Sequence, residues 1–317
     1  MSFSMIAYIE ESLKDNKIIK KLNFSDKVYI KNYKNIFDKK FPSKKEKAFI
    51  FAEIKDSCLI KVPESYHEKF AYFFKNSLNC VFNCRYCFLK AFKTNIPVFF
   101  LNYDDIKKEI KKALKNFNKK HILWFYSSDY SDNLAMNFSY FVEEFVPFFE
   151  TLKGVMLEMR TKSTNILPLM NLFIPKNTEI AFSLNPQSII EKYEKNTPNL
   201  DERLKAIQIL LDKFKVGLRF LPLLPIENYQ KIYIDFIDYL SKKIDISKIY
   251  STFSSGLLYT KEDYNIMLKK DPYFNLLYYL QEEDDGFVRE KKEVRKFFYD
   301  LFLSFDKNCK ICLDKKI

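Results

Sequence analysis

Three cysteines fall within eight residues, in the run Cys80-Val81-Phe82-Asn83-Cys84-Arg85-Tyr86-Cys87. Thiols clustered this tightly in a reducing compartment bind metal or do chemistry more often than they build a disulfide framework. A [4Fe–4S] cube has four irons and usually takes four Cys, so three protein sulfurs leave one iron open to an outside ligand. An open metal position marks a reactive site rather than a structural one. Zinc is the competing ion and would want a fourth Cys or His. Cys58 and His67 are available for that, at spacings that match no familiar zinc module. The remaining alternative is buried Cys acting as small hydrophobes. The pattern favours iron–sulfur over both. Cys309 and Cys312 form a second, C-x2-C pair, and two sulfurs alone cannot hold a cluster.

Other chemistries are excluded by composition. Gly154, Gly217, Gly256 and Gly286 are the only glycines, too dispersed for a P-loop or a dinucleotide fingerprint. Two histidines, His67 and His121, cannot make a multi-histidine metal centre. Lys plus Arg number 53 against 41 Asp plus Glu, a net charge of +12. That excess fits an anionic partner such as nucleic acid, or plain solubility. The Lys-rich stretch 39–47 reads as a solvated face. No apolar run approaches the roughly 18 residues of a membrane span, and the first residues lack the layout of a secretory leader. A cytoplasmic location is expected.

The elements that must position the cysteines follow from hydrophobic rhythm. Short apolar runs at 70–75, 121–126, 155–160, 179–184, 215–221 and 248–253 read as strands. Between them, helical patterns are expected near 104–117, 139–152, 163–172, 201–214 and 230–243. Asp104 is the expected N-cap of the first of these, and Asn199 or Asp201 of the fourth. Alternating β and α units mean a parallel sheet, here an α/β fold curled into an open (β/α)6, partial TIM-like barrel. Functional groups in such folds sit where strands end, which points to 76–92, 127–134, 161–163, 183–187 and 222–229. The expected organisation is an N-terminal extension over 1–68, a barrel over 69–260 and a helical segment over 261–317. Within the last, 289–304 reads as an amphipathic helix.

The C-x3-C-x2-C run, with an aromatic before its last Cys, resembles the cluster motif of the radical S-adenosylmethionine (SAM) enzymes. The wider match is similar to the spore photoproduct lyase family of DNA-repair enzymes. It runs through Asn83-Cys84-Arg85-Tyr86-Cys87-Phe88-Leu89, Pro97-Val98-Phe99, Tyr130-Ser131-Asp132, Arg160-Thr161-Lys162, Phe182-Ser183-Leu184-Asn185, and Tyr193-Glu194 to Thr197. The resemblance implies a [4Fe–4S] cluster on Cys80, Cys84 and Cys87 whose open iron chelates SAM. It implies that a 5′-deoxyadenosyl radical then abstracts hydrogen from a nucleobase lesion. Tyr86 would pack beside the cofactor, and Ser131, Lys162 and Ser183 would hold SAM, with Lys162 pairing its carboxylate. Asp132 and Asn185 would belong to the same pocket. A flavodoxin- or ferredoxin-type reductant is the expected electron source.

Two positions depart from the family. Its members carry a Cys close before the Ser-Asp pair that returns hydrogen to the product radical, whereas Ser127-Ser128-Asp129-Tyr130 stands here. Phe88 occupies the place of a Tyr assigned to the same relay. Cys309 and Cys312 are therefore candidates for a replacement thiol pair, against the readings of another metal site or an incidental pair. For DNA, phosphate contacts are expected from Arg203, Arg219 and Arg289, with Lys291, Lys292 and Arg295 beside them. The alternatives are a radical SAM enzyme acting on a peptide or small molecule, and a non-catalytic Fe–S or zinc nucleic-acid-binding protein.

Overall fold

The computed structural model describes residues 5–36, 47–63, 66, 68–92, 96–118, 120–135, 137, 140–271, 276 and 279–312. His67 and most of the Lys-rich stretch lie outside the described residues. The chain opens with β1 (Met5–Glu10), α1 (Lys17–Lys21), β2 (Asp26–Ile30) and β3 (Lys47–Ala52), which pair in parallel in the order β2-β1-β3. β4 (Leu59–Lys61) and β5 (Ala71–Phe74) then start a second sheet. β6 (Ser77–Leu78), β7 (Asn83–Cys84) and β8 (Val98–Phe100) follow. Of these, β6 and β8 return to the first sheet, where β8 lies beside β3. The cysteine loop thus hangs between two strands anchored in the N-terminal sheet. Nothing in the sequence reading of 1–68 anticipated that sheet.

The second sheet takes up β9 (Leu123–Tyr126), β10 (Val155–Thr161), β11 (Thr178–Ser183), β13 (Lys215–Phe220) and β14 (Ser251–Ser254), while the two-residue β12 (Glu194–Lys195) pairs with β7. All six expected strands are present and parallel, in the order β5-β9-β10-β11-β13-β14. The central strands β9, β10, β11 and β13 are mostly buried on both faces, as strands covered by helices must be; all four residues of β9, Leu-Trp-Phe-Tyr, are buried. β15 (Leu258–Thr260), β16 (Leu280–Glu282) and β17 (Phe287–Glu290) form a small antiparallel sheet. β18 (Lys310–Ile311) then adds a seventh parallel strand beside β14. Among the described residues no strand joins β18 to β4, so the barrel stays open.

The connecting helices are α2 (Tyr103–Lys115), α3 (Phe141–Glu150), α4 (Leu167–Met170), α5 (Gln187–Tyr193), α6 (Leu200–Leu210), α7 (Tyr229–Lys243), α8 (Lys261–Lys270) and α9 (Lys292–Phe305). Asn199 caps α6 in a capping box with Glu202. The cap of α2 is Asn102 rather than Asp104, which lies in the first turn and still favours the helix dipole. α4 is much shorter than the expected 163–172. Ser163 N–H donates to Thr161 Oγ1 (2.8 Å) and Asn165 N–H to Ser163 Oγ (3.0 Å), and such local side-chain turns compete with a helix.

The barrel interior carries charge as well as hydrocarbon. Glu158 on β10 and Glu179 on β11 face each other across the ladder, and Arg219 on β13 bonds both, at 2.7 and 2.9 Å. Burial alone would push Glu158 up, but Arg219 and Arg160 more than offset it and hold it charged. Gly217 makes the room: a Cβ there would lie 2.1 Å from Glu179 Oε1 and 2.6 Å from Arg219 Nη1. Gly217→Ala is therefore expected to destabilise the protein by about 1–3 kcal/mol through overpacking, read as a lower midpoint in urea unfolding.

Candidate active site

The strand ends open into one cavity of about 400 Å³, within the usual range for a cofactor site. Cys80, Cys84 and Cys87 line it together with Tyr86, Ser131, Asp132, Lys162 and Ser183. The carboxyl ends of all seven parallel strands meet here, as placement at that end of a barrel requires.

Backbone pairing makes the cysteine loop rigid. β7 pairs with β12 through Cys84 and Glu194, and Arg85 N–H donates to Tyr193 O at 2.7 Å. Arg85 makes a bidentate pair with Asp271 at 2.8 and 2.9 Å. Asn79, with φ of 63°, turns the chain into the loop, a conformation that Asn tolerates. Tyr86 O–H donates to Glu194 Oε1 at 2.5 Å, and the Tyr86 carbonyl accepts from Tyr259 O–H at 2.5 Å.

Burial pushes all three loop thiols up, Cys84 to about 12 despite the pull of Lys162. Each would need a bound cation to ionise at neutral pH. Among the described residues no three His, Cys, Asp or Glu converge as a single-ion site. A cube, each of whose irons takes its own sulfur, spreads its ligands wider than one ion does. The trio is compatible with the wider ligand set of a cluster. Cys58, the conceivable fourth zinc ligand, is packed in the main core away from the cavity.

The residues expected to hold SAM fall into two layers. Lys162 places Nζ 5.9 Å from the centre of the Tyr86 ring, beside the sulfurs. Ser131 Oγ hydrogen-bonds Ser77 Oγ. Asp132 spends its carboxylate on the protein: Oδ1 accepts from Leu134 N, Ala135 N and Thr161 Oγ1, and Oδ2 from Lys162 N at 2.8 Å. It positions Lys162. Asn185 does not reach the cavity; it donates to Glu194 at 2.8 Å and accepts from Tyr233 O–H at 3.2 Å. Its place is one layer behind, orienting the Glu194 that holds Tyr86.

The expected phosphate-binding arginines are corrected. Arg203 and Arg219 are wholly buried. Arg203 donates to Glu194 Oε2 at 2.6 Å, Thr197 Oγ1 at 2.7 Å and Ser183 O at 2.9 Å. Arg289 pairs with Asp285 at 2.5 Å, and Arg295 with Glu283 at 2.7 Å. Their charges are consumed inside the protein, so none presents a free guanidinium to DNA. Lys291 and Lys292 are exposed.

The C-x2-C pair is split. Cys312, at the end of β18, lines the cavity. Cys309 sits in the main core, and Cys312 packs with Tyr66, Trp124 and Tyr126 in a separate cluster. Side chains alternate across a strand, so residues three apart face opposite ways.

Asp129, Arg160 and Tyr66 form a wall that the sequence reading did not single out. Arg160 lies 3.5 Å from Asp129, 2.8 Å from Glu158 and 3.1 Å from Tyr66 Oη. Glu158 and Arg160 stand two apart on a mostly apolar strand, and that periodicity is the signal that could have found Arg160. Burial raises Asp129 to about 6, against Arg160 and with Glu158 adding. The folded state thus holds this proton more tightly than the unfolded chain. The associated stability is complete below pH 4 and lost as pH rises through 6. Asp129→Asn, neutral throughout, is expected to be more stable than the wild type at pH 8 by on the order of 1–3 kcal/mol. The gap should close toward pH 4.5, as read by thermal unfolding at both pH values.

The family model for spore photoproduct lyase matches residues 66–300. The spore photoproduct lyase of Clostridium acetobutylicum is 26% identical over 169 residues, covering 52% of this chain and 50% of that protein. The match thus spans about half the length of that curated relative. A solved spore photoproduct lyase mutant with bound AdoMet and dinucleoside spore photoproduct superposes with a TM-score of 0.82 at 15% identity, covering 96% of this chain and 97% of the other. Another, complexed with dinucleoside spore photoproduct, gives 0.81 over the same shares at 15% identity. Likeness at that identity speaks for the fold, an open α/β half-barrel. The family match takes in the cysteine loop, the strand ends around it and most of the small sheet beyond. The chain belongs to the spore photoproduct lyase family.

Proposed function

We propose that this protein is a radical SAM lyase that opens a nucleobase lesion of the spore-photoproduct kind in DNA. The observation that carries this reading is the convergence of Cys80, Cys84, Cys87 and Lys162 on one cavity at the carboxyl ends of a parallel barrel. Cys80, Cys84 and Cys87 would hold a [4Fe–4S] cluster, which when bound supplies the electron that cleaves SAM to a 5′-deoxyadenosyl radical. The protein contributes placement and electrostatics. Lys162 pairs with the carboxylate of SAM, its backbone fixed by Asp132. The Ser131 and Ser183 hydroxyls and the Tyr86 ring complete the holding surface. Leu221, Pro222, Leu257 and Leu258 cover the cavity with hydrocarbon and keep water from a reactive radical.

The lesion would enter against the Asp129–Arg160 wall. Phe287, 37% exposed at the rim, is placed to fill the gap left by an extruded base. The electron comes from a flavodoxin- or ferredoxin-type reductant in the cytoplasm. No helix among the described residues is long and apolar enough to cross a membrane.

The test is anaerobic reconstitution with iron and sulfide, reduction by dithionite, and addition of SAM with a dinucleoside spore photoproduct. Formation of 5′-deoxyadenosine together with repaired dinucleoside supports the reading. SAM cleavage with the lesion untouched would move the substrate to a peptide or small molecule. Absence of both would leave only a binding protein.

A further inference from the structure

We infer that Cys312 is the hydrogen-atom donor that quenches the substrate radical in this chain. The inference rests on the radical reading above and deepens it by naming a catalytic residue. Hydroxyl-bearing and other non-thiol residues occupy 127–132, so a thiol must come from elsewhere if one is used. β18 supplies it. This strand pairs in parallel with β14, Ile311 opposite Ser254, and Cys312 N–H donates to Ser254 O at 3.0 Å. The seventh strand thereby carries Cys312, the residue after its end, to the same strand-end level as the other site residues.

Cys312 lines the cavity that Cys80, Cys84 and Cys87 also line, and it is 4% exposed. Those three sulfurs are assigned to the cluster, which leaves Cys312 as the other thiol lining this cavity among the described residues. Of the four phenols that line the cavity among the described residues, Tyr86 O–H donates to Glu194, Tyr259 O–H to the Tyr86 carbonyl, and Tyr66 Oη accepts from Arg160; Tyr130 is the fourth. Cys309 does not line this cavity and takes no part.

The step balances as a single hydrogen-atom transfer. The Cys312 S–H bond breaks homolytically as a C–H bond forms on the product radical, leaving a closed-shell product and a sulfur radical. One electron from the one-electron reductant that drives SAM cleavage, with one solvent proton, restores the thiol. Because a thiol exchanges its proton with solvent, the transferred atom is deuterium in D2O.

The experiment uses cluster-loaded full-length protein with a dinucleoside spore photoproduct in D2O, counting repaired product per SAM cleaved and deuterium per product. Wild type is expected to deliver one solvent deuterium into each product. Cys312→Ala and the size-conserving Cys312→Ser are expected to go on cleaving SAM while losing product per SAM cleaved. Cys309→Ala is expected to keep the wild-type ratio. Independently of turnover, iodoacetamide labelling of Cys312, mapped by mass spectrometry, should be blocked by the dinucleoside. Wild-type coupling with full deuterium delivery in both Cys312 variants would overturn the inference, as would labelling that ignores the dinucleoside. Wild-type protein that fails to cleave SAM would overturn the radical reading, and this inference with it.

Discussion

Arg203→Ala is expected to lower stability by about 3–5 kcal/mol, the usual cost of leaving one member of a buried ion pair behind. Arg203 and Glu194 are both wholly buried at the contact, 2.6 Å apart. Burial pushes the Glu194 carboxyl up, while Arg203 and then Lys162 pull it below its ordinary range. Without the guanidinium, Tyr86 and Asn185 remain as side-chain donors, and neither brings charge. For a chain of 317 residues the loss corresponds to a fall in Tm of roughly 5–8 °C. The damage should not stop at stability. Glu194 orients Tyr86 and lies on the strand that pairs with Cys84, so the iron retained after gel filtration should fall too. Arg203→Met with Glu194→Gln, which removes both charges, should recover part of the stability. A Tm unchanged in Arg203→Ala would show that the pair is not what holds this layer.

Cys84→Ala is expected to abolish SAM cleavage while leaving the fold in place. The substitution removes one buried sulfur, a cost of about 1 kcal/mol for a small core truncation. Its chemical cost is total, because Cys80 and Cys87 alone offer two ligands where a cube needs at least three from this chain. The expected readings are a circular dichroism spectrum like that of the wild type, iron content near background, and no 5′-deoxyadenosine. Retention of wild-type iron and cleavage would remove Cys84 from the ligand set. The same measurements on Cys58→Ala should show no loss of iron, since Cys58 does not line the cavity that the other three share.

The barrel and the cysteine trio were legible because their signals are local. β9, β10, β11 and β13 are apolar runs buried on both faces, and each is followed by a helical period. The trio is a spacing, and spacing survives without a structure. What was not legible depends on partners far along the chain or on very short elements. β1, β2 and β3 are five or six residues long, and the helix between β1 and β2 has only five residues, so no βα rhythm announces them. β18 has two residues and becomes a strand only by pairing with β14. Arg203 and Arg219 look like surface charge in the sequence. Their burial follows from Glu194, Glu158 and Glu179, whose positions only the fold reveals.

The way β6 and β8 are seated has a practical corollary for anyone trimming this protein. Both stems of the cysteine loop are stitched into a sheet whose other members come from the first 52 residues. A fragment cut to begin at β5 would retain all three sulfurs of the cysteine loop and all seven parallel strands. It would still strip β8 of its neighbour β3 and leave the stems without a foundation. The N-terminal sheet is thus a mounting bracket for the cysteine loop, and the barrel half is not expected to hold that loop in place by itself.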